Sequence, residues 1–400
     1  MNDIVEVFGK EKINIRARNL LSSSLLAEKL KFVEDLEYRL YVHSSNWGES
    51  LQNYFTIILT AHGSNIDFFE KSIKSVLSQS TKNIELILVD HGCEQSLKKV
   101  IYDYFLHNCK IKLISLNENL NDKWTYTNTR VFNILNSAIC CAEGDYVYFL
   151  SYDDYLSENY AELMINLFLD NKNCFVASPS IKSVNELSEV NVSRSEYYRN
   201  NNVRDKYITG IDLAVSIINN GNLMSAPGGL FAYKVDVVLE SGGFDCMNDL
   251  TQIFKFAVLG DVGTNLNAVL FWRHHNNQTN KKLTKKGFLA YPIAKEMLLH
   301  LKDFYLKHNI SSQFQTEFFQ YYKNEIKKDT ISSLKASISC GLTSAFHVLI
   351  NILAFCPKVY ILYWLRAFLW RIPLILYMSL PEKIHIYYRS LKNSLIKKFI

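Results

Sequence analysis

The chain has 400 residues, 48% of them hydrophobic and 13% aromatic, enough apolar material for a large buried core and too much for general disorder. A formal net charge of +5 is too mild to argue for a nucleic-acid partner. The eight cysteines form no CxxC or Cys/His zinc spacing, and the opening MNDIVEVFGKEKINIRAR lacks the apolar core of a signal peptide, so free thiols in a reducing cytosol are expected.

Residues 1–50 read as a helical extension, because Leu26, Leu30, Val33, Leu36 and Leu40 recur at helical spacing among charged residues. From Tyr54 the pattern alternates. Phe55 to Leu59 is a short apolar strand. A helix follows, opened by Ser64 with Asp67 three residues on, and it turns Phe69, Ile73, Val76 and Leu77 inward. A strand over Ile84 to Val89 stops at Asp90-His91-Gly92. A helix over about 95–107, a strand over Ile111 to Leu116, a helix over about 125–142 and the strand before Asp153 complete the series. This order predicts an α/β fold with a mostly parallel sheet and right-handed crossovers. The polar segment 181–206 reads as a mobile surface segment; its Asn191-Val192-Ser193 fits a glycosylation pattern that a cytosolic protein would leave unused. Apolar structure resumes near Ile208 and runs to Trp272.

Toward the C-terminus, residues 341–380 hold three charged side chains, Lys358, Arg366 and Arg371, and are broken by Pro357 and Pro373. Neither apolar stretch is a clean membrane span. With Trp364, Trp370 and the basic tail Lys383, Arg389, Lys392, Lys397 and Lys398, the region reads as a monotopic attachment to anionic lipid, with a packed helical subdomain as the plainer alternative.

Chemistry concentrates where YVYFLSYDDYL ends on Asp153 and Asp154. Ligands of open α/β sheets sit at the carboxyl ends of strands. Paired carboxylates there offer hard oxygens to Mg²⁺ or Mn²⁺, ions that commonly bridge protein to phosphate. A solvated turn explains the same two residues.

Four segments in order narrow the choice: TIILTAHG, SIKSVLSQS, IELILVDHG and AEGDYVYFLSYDD. Together they make the stretch from Tyr54 to about Thr279 resemble a family-2 glycosyltransferase of the GT-A fold. The resemblance implies a Rossmann-like domain over 51–280, between the helical extension 1–50 and a helical, apolar and basic region 281–400. It also implies roles. Ala61, His62, Asp90 and Arg130 would line the nucleotide pocket; Asp153 would be shared between ribose and metal; Asp154 would be the metal ligand. GGLFAYKVDVVLESGGFD leads to Asp249 as the catalytic base, with Asp245 in reserve. In FWRHHNNQTN, Arg273 would neutralise diphosphate and His275 would complete the coordination of Mn²⁺ or Mg²⁺, an imidazole suiting Mn²⁺ better. Ser151, His91 and Asn248 depart from the family pattern, each standing where an acid is usual.

The expected activity is metal-dependent, inverting transfer from a nucleoside diphosphate sugar, UDP-linked, to a hydroxyl of a lipid-linked glycan such as lipopolysaccharide or capsule. The expected place is the cytoplasmic side of a bacterial membrane, bound peripherally, with no nucleic acid involved. The rival readings are a degenerate GT-A scaffold, favoured by the three departures, and a nucleotidyltransferase. The latter is disfavoured because Thr60-Ala61-His62-Gly63 lacks a glycine-rich basic loop.

Overall fold

The computed structural model describes residues 4–7, 12–22, 38–43, 51–116, 129–200, 206–220, 231–244, 254–276, 301–302, 304–321 and 324. The strands are β1 (Ile4–Val7), β2 (Tyr38–His43), β3 (Leu51–Ala61), β4 (Ile84–His91), β5 (Ile111–Leu116), β6 (Gly144–Ser151), β7 (Tyr155–Leu156), β8 (Cys174–Val184), β9 (Tyr207–Thr209), β10 (Ala232–Lys234) and β11 (Asp261–Arg273). The helices are α1 (Ile15–Ser22), α2 (Ile66–Leu77), α3 (Gln95–His107), α4 (Thr129–Cys141), α5 (Tyr160–Asp170), α6 (Val192–Asn200), α7 (Gly210–Asn220) and α8 (Val235–Glu240).

Among the described residues the strands form one sheet in the order β1-β2-β5-β4-β3-β6-β10-β8-β11-β7, with β9 on β11. Its centre, β5-β4-β3-β6, is parallel. β5 is buried throughout and β4 nearly so, the continuous burial expected of parallel strands covered on both faces. The chain runs outward from β3 through β4 to β5, then returns to place β6 on the other side of β3. That reversal is a topological switch point, where a crevice opens beyond the carboxyl ends of the strands. The register aligns those ends: Ala61 lies opposite Asp90, Asp90 opposite Ser115, and Thr60 opposite Ser151.

The predicted strands and helices of this centre are found, with boundary changes that have local causes. α2 is capped by Asn65, whose side chain accepts from the Phe68 N–H at 3.0 Å, and not by Ser64. Phe69, Ile73 and Val76 are buried as expected, but Leu77 is 44% exposed, since it falls on the outer face of the last turn. The N-terminal extension is helical only at α1 among its described residues. Leu40 belongs to a strand, because Tyr38, Leu40 and Val42 alternate inward while Arg39 points out, a period of two that pairs β2 with β5. Within the segment 181–206, the described residues 181–200 hold more regular structure than their polarity predicts. β8 runs to Val184, a turn follows, and α6 starts with the Asn191 side chain accepting from the Arg194 N–H at 3.0 Å. Asn191 is a helix cap.

At the amino ends of the central strands lies a buried ionic cluster. Lys112 of β5 bridges Glu85 of β4 and Glu143, at 2.5 and 2.7 Å. Glu85 also accepts from the Thr56 hydroxyl and from the N–H groups of Glu143 and Gly144. Gly144 starts β6 so close to β3 that a Cβ would meet Thr56 Oγ1 at 2.6 Å. Below it, Asn14 caps α1 and Arg16 reaches Asp145 and Asp236, which fastens the extension to this end of the sheet.

Residues 301–321 belong to the same compact unit as the sheet: Tyr305 donates to Phe254 O at 2.9 Å and Phe318 packs on the Phe254 ring. Among the described residues no helix is long and apolar enough to cross a membrane. The apolar and basic stretch 338–398 lies outside the described residues, as do Leu26 to Leu36.

Candidate active site

β3 ends on Ala61, which is buried, and the chain turns through His62 and Gly63. Gly63 takes φ +86°, a left-handed conformation that disfavours other residues, and its Cα side faces the Tyr152 hydroxyl. The His62 ring packs edge-on against Tyr152, centroids 4.9 Å apart. Burial and the nearby Asp153 charge push the Tyr152 phenol up to about 12.

Asp90, expected to face a nucleobase, is fully buried. Its Oδ1 accepts from the Cys93 N–H at 2.9 Å, and its Oδ2 accepts from the Ser115 hydroxyl at 3.2 Å and stands 3.4 Å from Lys98 Nζ. These bonds close the turn after β4 and leave no carboxylate surface open. Beside it His91 is buried, and burial with the His62 charge lowers its imidazole to about 4.

The two acids after β6 have different surroundings. Asp153 keeps 14% of its side chain exposed and lies 2.9 Å from His275 Nε2 through Oδ2. Burial alone would raise its pKa, but hydrogen bonds from His275 and Ser151 and the charge on His62 outweigh it, so the net shift is downward. Ser151, standing where an acid is usual, therefore serves as a donor that favours the ionised carboxylate. Asp154 is 5% exposed and its Oδ1 accepts from the backbone N–H of Arg273 at 2.8 Å. Burial and the neighbouring Asp153 charge push it well above the usual carboxylate range.

Arg273, expected as a diphosphate ligand, is 1% exposed. Its Nε donates to Asp153 O at 2.7 Å; its Nη1 donates to Glu186 O at 2.8 Å and Ser188 Oγ at 2.9 Å. The guanidinium lies over the Phe68 ring at 4.4 Å and near Tyr155 at 5.5 Å. In this arrangement Arg273 ties the turn after β8 to the acid turn after β6. Backbone carbonyls take the donors that the sequence assigns to phosphate.

Asp153 and His275 are thus the pair that the structure brings together. A carboxylate facing an imidazole at 2.9 Å offers donor types that could hold a divalent ion such as Mn²⁺. Among the described residues no third His, Cys, Asp or Glu joins them. Asp154, expected as the direct ligand, has one oxygen committed inward to β11. Arg130 lies on α4, with its side chain outside what is described, and Asp245 and Asp249 lie outside the described residues. Residues that the sequence reading missed are Phe68, which packs on both His275 and Arg273, and Tyr152 and Tyr155, which flank the acids. Their signal was available only as aromatic positions bordering the acidic pair.

Comparison with known proteins agrees with the fold. Residues 56–220 match the model for glycosyl transferase family 2. A curated relative from Haemophilus influenzae, described as an uncharacterized glycosyltransferase, is 31% identical over 104 residues, covering 26% of this chain and 38% of the relative. The chain therefore spans well under half the length of that relative. The crystal structure of S. aureus TarS 1–349 in complex with UDP-GlcNAc matches with a TM-score of 0.52 at 13% identity, over 76% of this chain and 82% of that one. The architecture is a GT-A fold, mixed α/β with a mainly parallel centre. Over residues 56–220, then, the chain is similar to glycosyl transferase family 2.

Proposed function

We propose that the chain is a metal-dependent, inverting glycosyltransferase that moves a sugar from a UDP-linked donor to a hydroxyl of a growing cell-envelope glycan. The observation that carries the reading is the Asp153–His275 pair, held at the carboxyl end of β6 beside the switch point of a family-2 domain. Asp153 and His275 would hold a Mn²⁺ or Mg²⁺ ion, which supplies charge neutralisation for the diphosphate that leaves. Ser151 and Arg273 act on the same carboxylate from behind, one by a hydrogen bond to its side chain and the other by clamping its backbone. Ala61 and His62 border the crevice where the nucleotide would lie, and Asp90 shapes that border by closing the turn beneath it. Asp249 is the proposed base for the acceptor hydroxyl, on the strength of the GGFD-containing segment before it.

A nucleotidyltransferase is less well supported, since the turn after β3, Ala61-His62-Gly63-Ser64-Asn65, offers no lysine or arginine to a triphosphate. A degenerate scaffold would be expected to lose the Asp153–His275 pair, which this chain keeps. The test is release of free UDP from a panel of sugar nucleotides, beginning with UDP-GlcNAc, the compound in the TarS complex. It is run with Mn²⁺, Mg²⁺ or EDTA, and with Asp153→Ala and Asp249→Asn. Metal-dependent release from one donor, lost in both variants, is the expected result. Absence of both turnover and nucleotide binding across the panel would sink the transferase reading in favour of the scaffold.

A further inference from the structure

α2 presents a polar stripe to the segment that carries the acids. Ser72 Oγ donates to Ser151 O at 3.4 Å, and Ser75 Oγ accepts from the Leu156 N–H at 3.1 Å. One turn on, Gln79 Nε2 donates to Ser75 O at 2.9 Å and to Ser157 O at 2.7 Å, while its Oε1 accepts from the Ala161 N–H at 2.8 Å. Gln79 is 5% exposed, and both its N–H groups and its carbonyl oxygen are engaged. A flipped amide would set oxygen against two carbonyls, so the arrangement admits one orientation.

The opposite side of the segment is held by β11. Ser157 N–H donates to Val269 O at 2.9 Å, Val269 N–H donates to Ser157 Oγ at 3.0 Å, and Arg273 N–H donates to Asp154. Residues 151–161 therefore sit in a vice with α2 as one jaw and β11 as the other. The positions 72, 75 and 79 are spaced to place three polar groups along one side of a helix and just past its end. An apolar stripe there would pack as well but would leave the Leu156 and Ala161 N–H groups unsatisfied.

We propose that Gln79, seconded by Ser75, is a positioning residue for Asp153: by fixing residues 151–161 against α2 it holds the acid turn in the register that sets Asp153 toward His275. The inference rests on the transferase reading for its consequence, binding of a nucleoside diphosphate with its cation, but not for the clamp itself.

The experiment uses the full chain and four variants: Gln79→Met, which keeps the volume and removes the hydrogen bonds; Ser75→Ala; Ser75→Thr, which keeps the hydroxyl; and Ile101→Val on α3 as a destabilising control. Two quantities are read, hydrogen exchange of peptides across 151–161 and calorimetric affinity for UDP in Mn²⁺. Gln79→Met is expected to speed exchange in 151–161 selectively and to weaken UDP·Mn²⁺ about tenfold, as loss of a supporting shell does at metal sites. Ser75→Ala should move both readouts in the same direction, Ser75→Thr should restore them, and Ile101→Val should leave both near wild type. Equal affinity in wild type and Gln79→Met, or faster exchange spread over the whole chain, overturns the proposal. If Gln79→Met does not fold, the Ser75 pair decides on the same readouts. If wild type binds no UDP, the transferase reading fails, and local exchange alone judges the clamp.

Discussion

Asp153 and Asp154 are adjacent in sequence and opposite in circumstance, which shows how burial and hydrogen bonding divide roles between like residues. Asp153 is partly open and held ionised by donors; Asp154 is closed in and turned toward β11. The sequence shows two carboxylates after a strand and leaves their division open. It also brings His275 forward only through a family pattern, since 122 positions separate it from Asp153. The clamp that Arg273 makes was not legible for a physical reason: its partners are the carbonyls of Asp153, Asn185 and Glu186, and backbone acceptors leave no mark in a side-chain pattern. His91 gives a prediction at this scale. Its imidazole is lowered from 6.5 to about 4 by burial, so between these values the unfolded chain binds a proton that the folded chain refuses. Stability should therefore fall as pH drops through that window, by up to about 3 kcal/mol. Thermal melts of wild type and His91→Gln from pH 7 to pH 4 check it: the variant should lose the steeper part of the acid slope, and parallel slopes would contradict the assignment.

Among the elements, legibility follows burial pattern. β4, β5 and α3 were readable because apolar runs and helical spacing are decided locally, and their limits in the structure match closely. β2 was not, because Leu40 satisfies a helical period with residues before it and a strand period with Tyr38 and Val42; pairing with β5 decides. α6 was hidden by a composition that reads as loop, and the turn before it is held by Arg273, a residue far along the chain. The Glu85–Lys112–Glu143 cluster joins β4, β5 and the start of β6 at the end of the sheet away from the acids. Burial works to lower the Lys112 pKa, but the two glutamates outweigh it and raise it. Its contribution is thus complete below the unfolded value of 10.5 and fades only as pH rises through the higher folded value. Removing the cation leaves two carboxylates facing each other in the core. Lys112→Ala should cost about 3–5 kcal/mol in denaturant unfolding at pH 7; a loss below about 1 kcal/mol would mean that the cluster is hydrated and weakly coupled.

For the whole molecule, the alternation of strands and helices predicts the parallel centre, and the switch point follows from the order in which β3, β4, β5 and β6 are laid down. Residues 301–321 belong to the compact unit of the sheet, with Tyr305 and Phe318 closing over Phe254. Aromatic residues at helical spacing in that stretch do not announce which domain they cover. We further propose that the basic apolar segment 338–398 holds the protein peripherally on the cytoplasmic face of the membrane, supported by Trp364, Trp370 and the lysines and arginine after Pro381. Flotation with vesicles of phosphatidylglycerol and phosphatidylethanolamine should carry the full chain upward at low salt and less so at high salt. A chain that stays at the bottom with anionic vesicles at low salt would remove the membrane from the account.

The central claim is that Asp153, paired with His275, binds a nucleoside diphosphate through a divalent ion. Calorimetric titration of UDP into wild type and Asp153→Ala, each with Mn²⁺ and with EDTA, tests it most directly. The account predicts binding by wild type in Mn²⁺, loss of at least about tenfold in affinity with EDTA, and a similar loss in Asp153→Ala at an unchanged melting temperature. UDP binding of equal strength in all four titrations would contradict it.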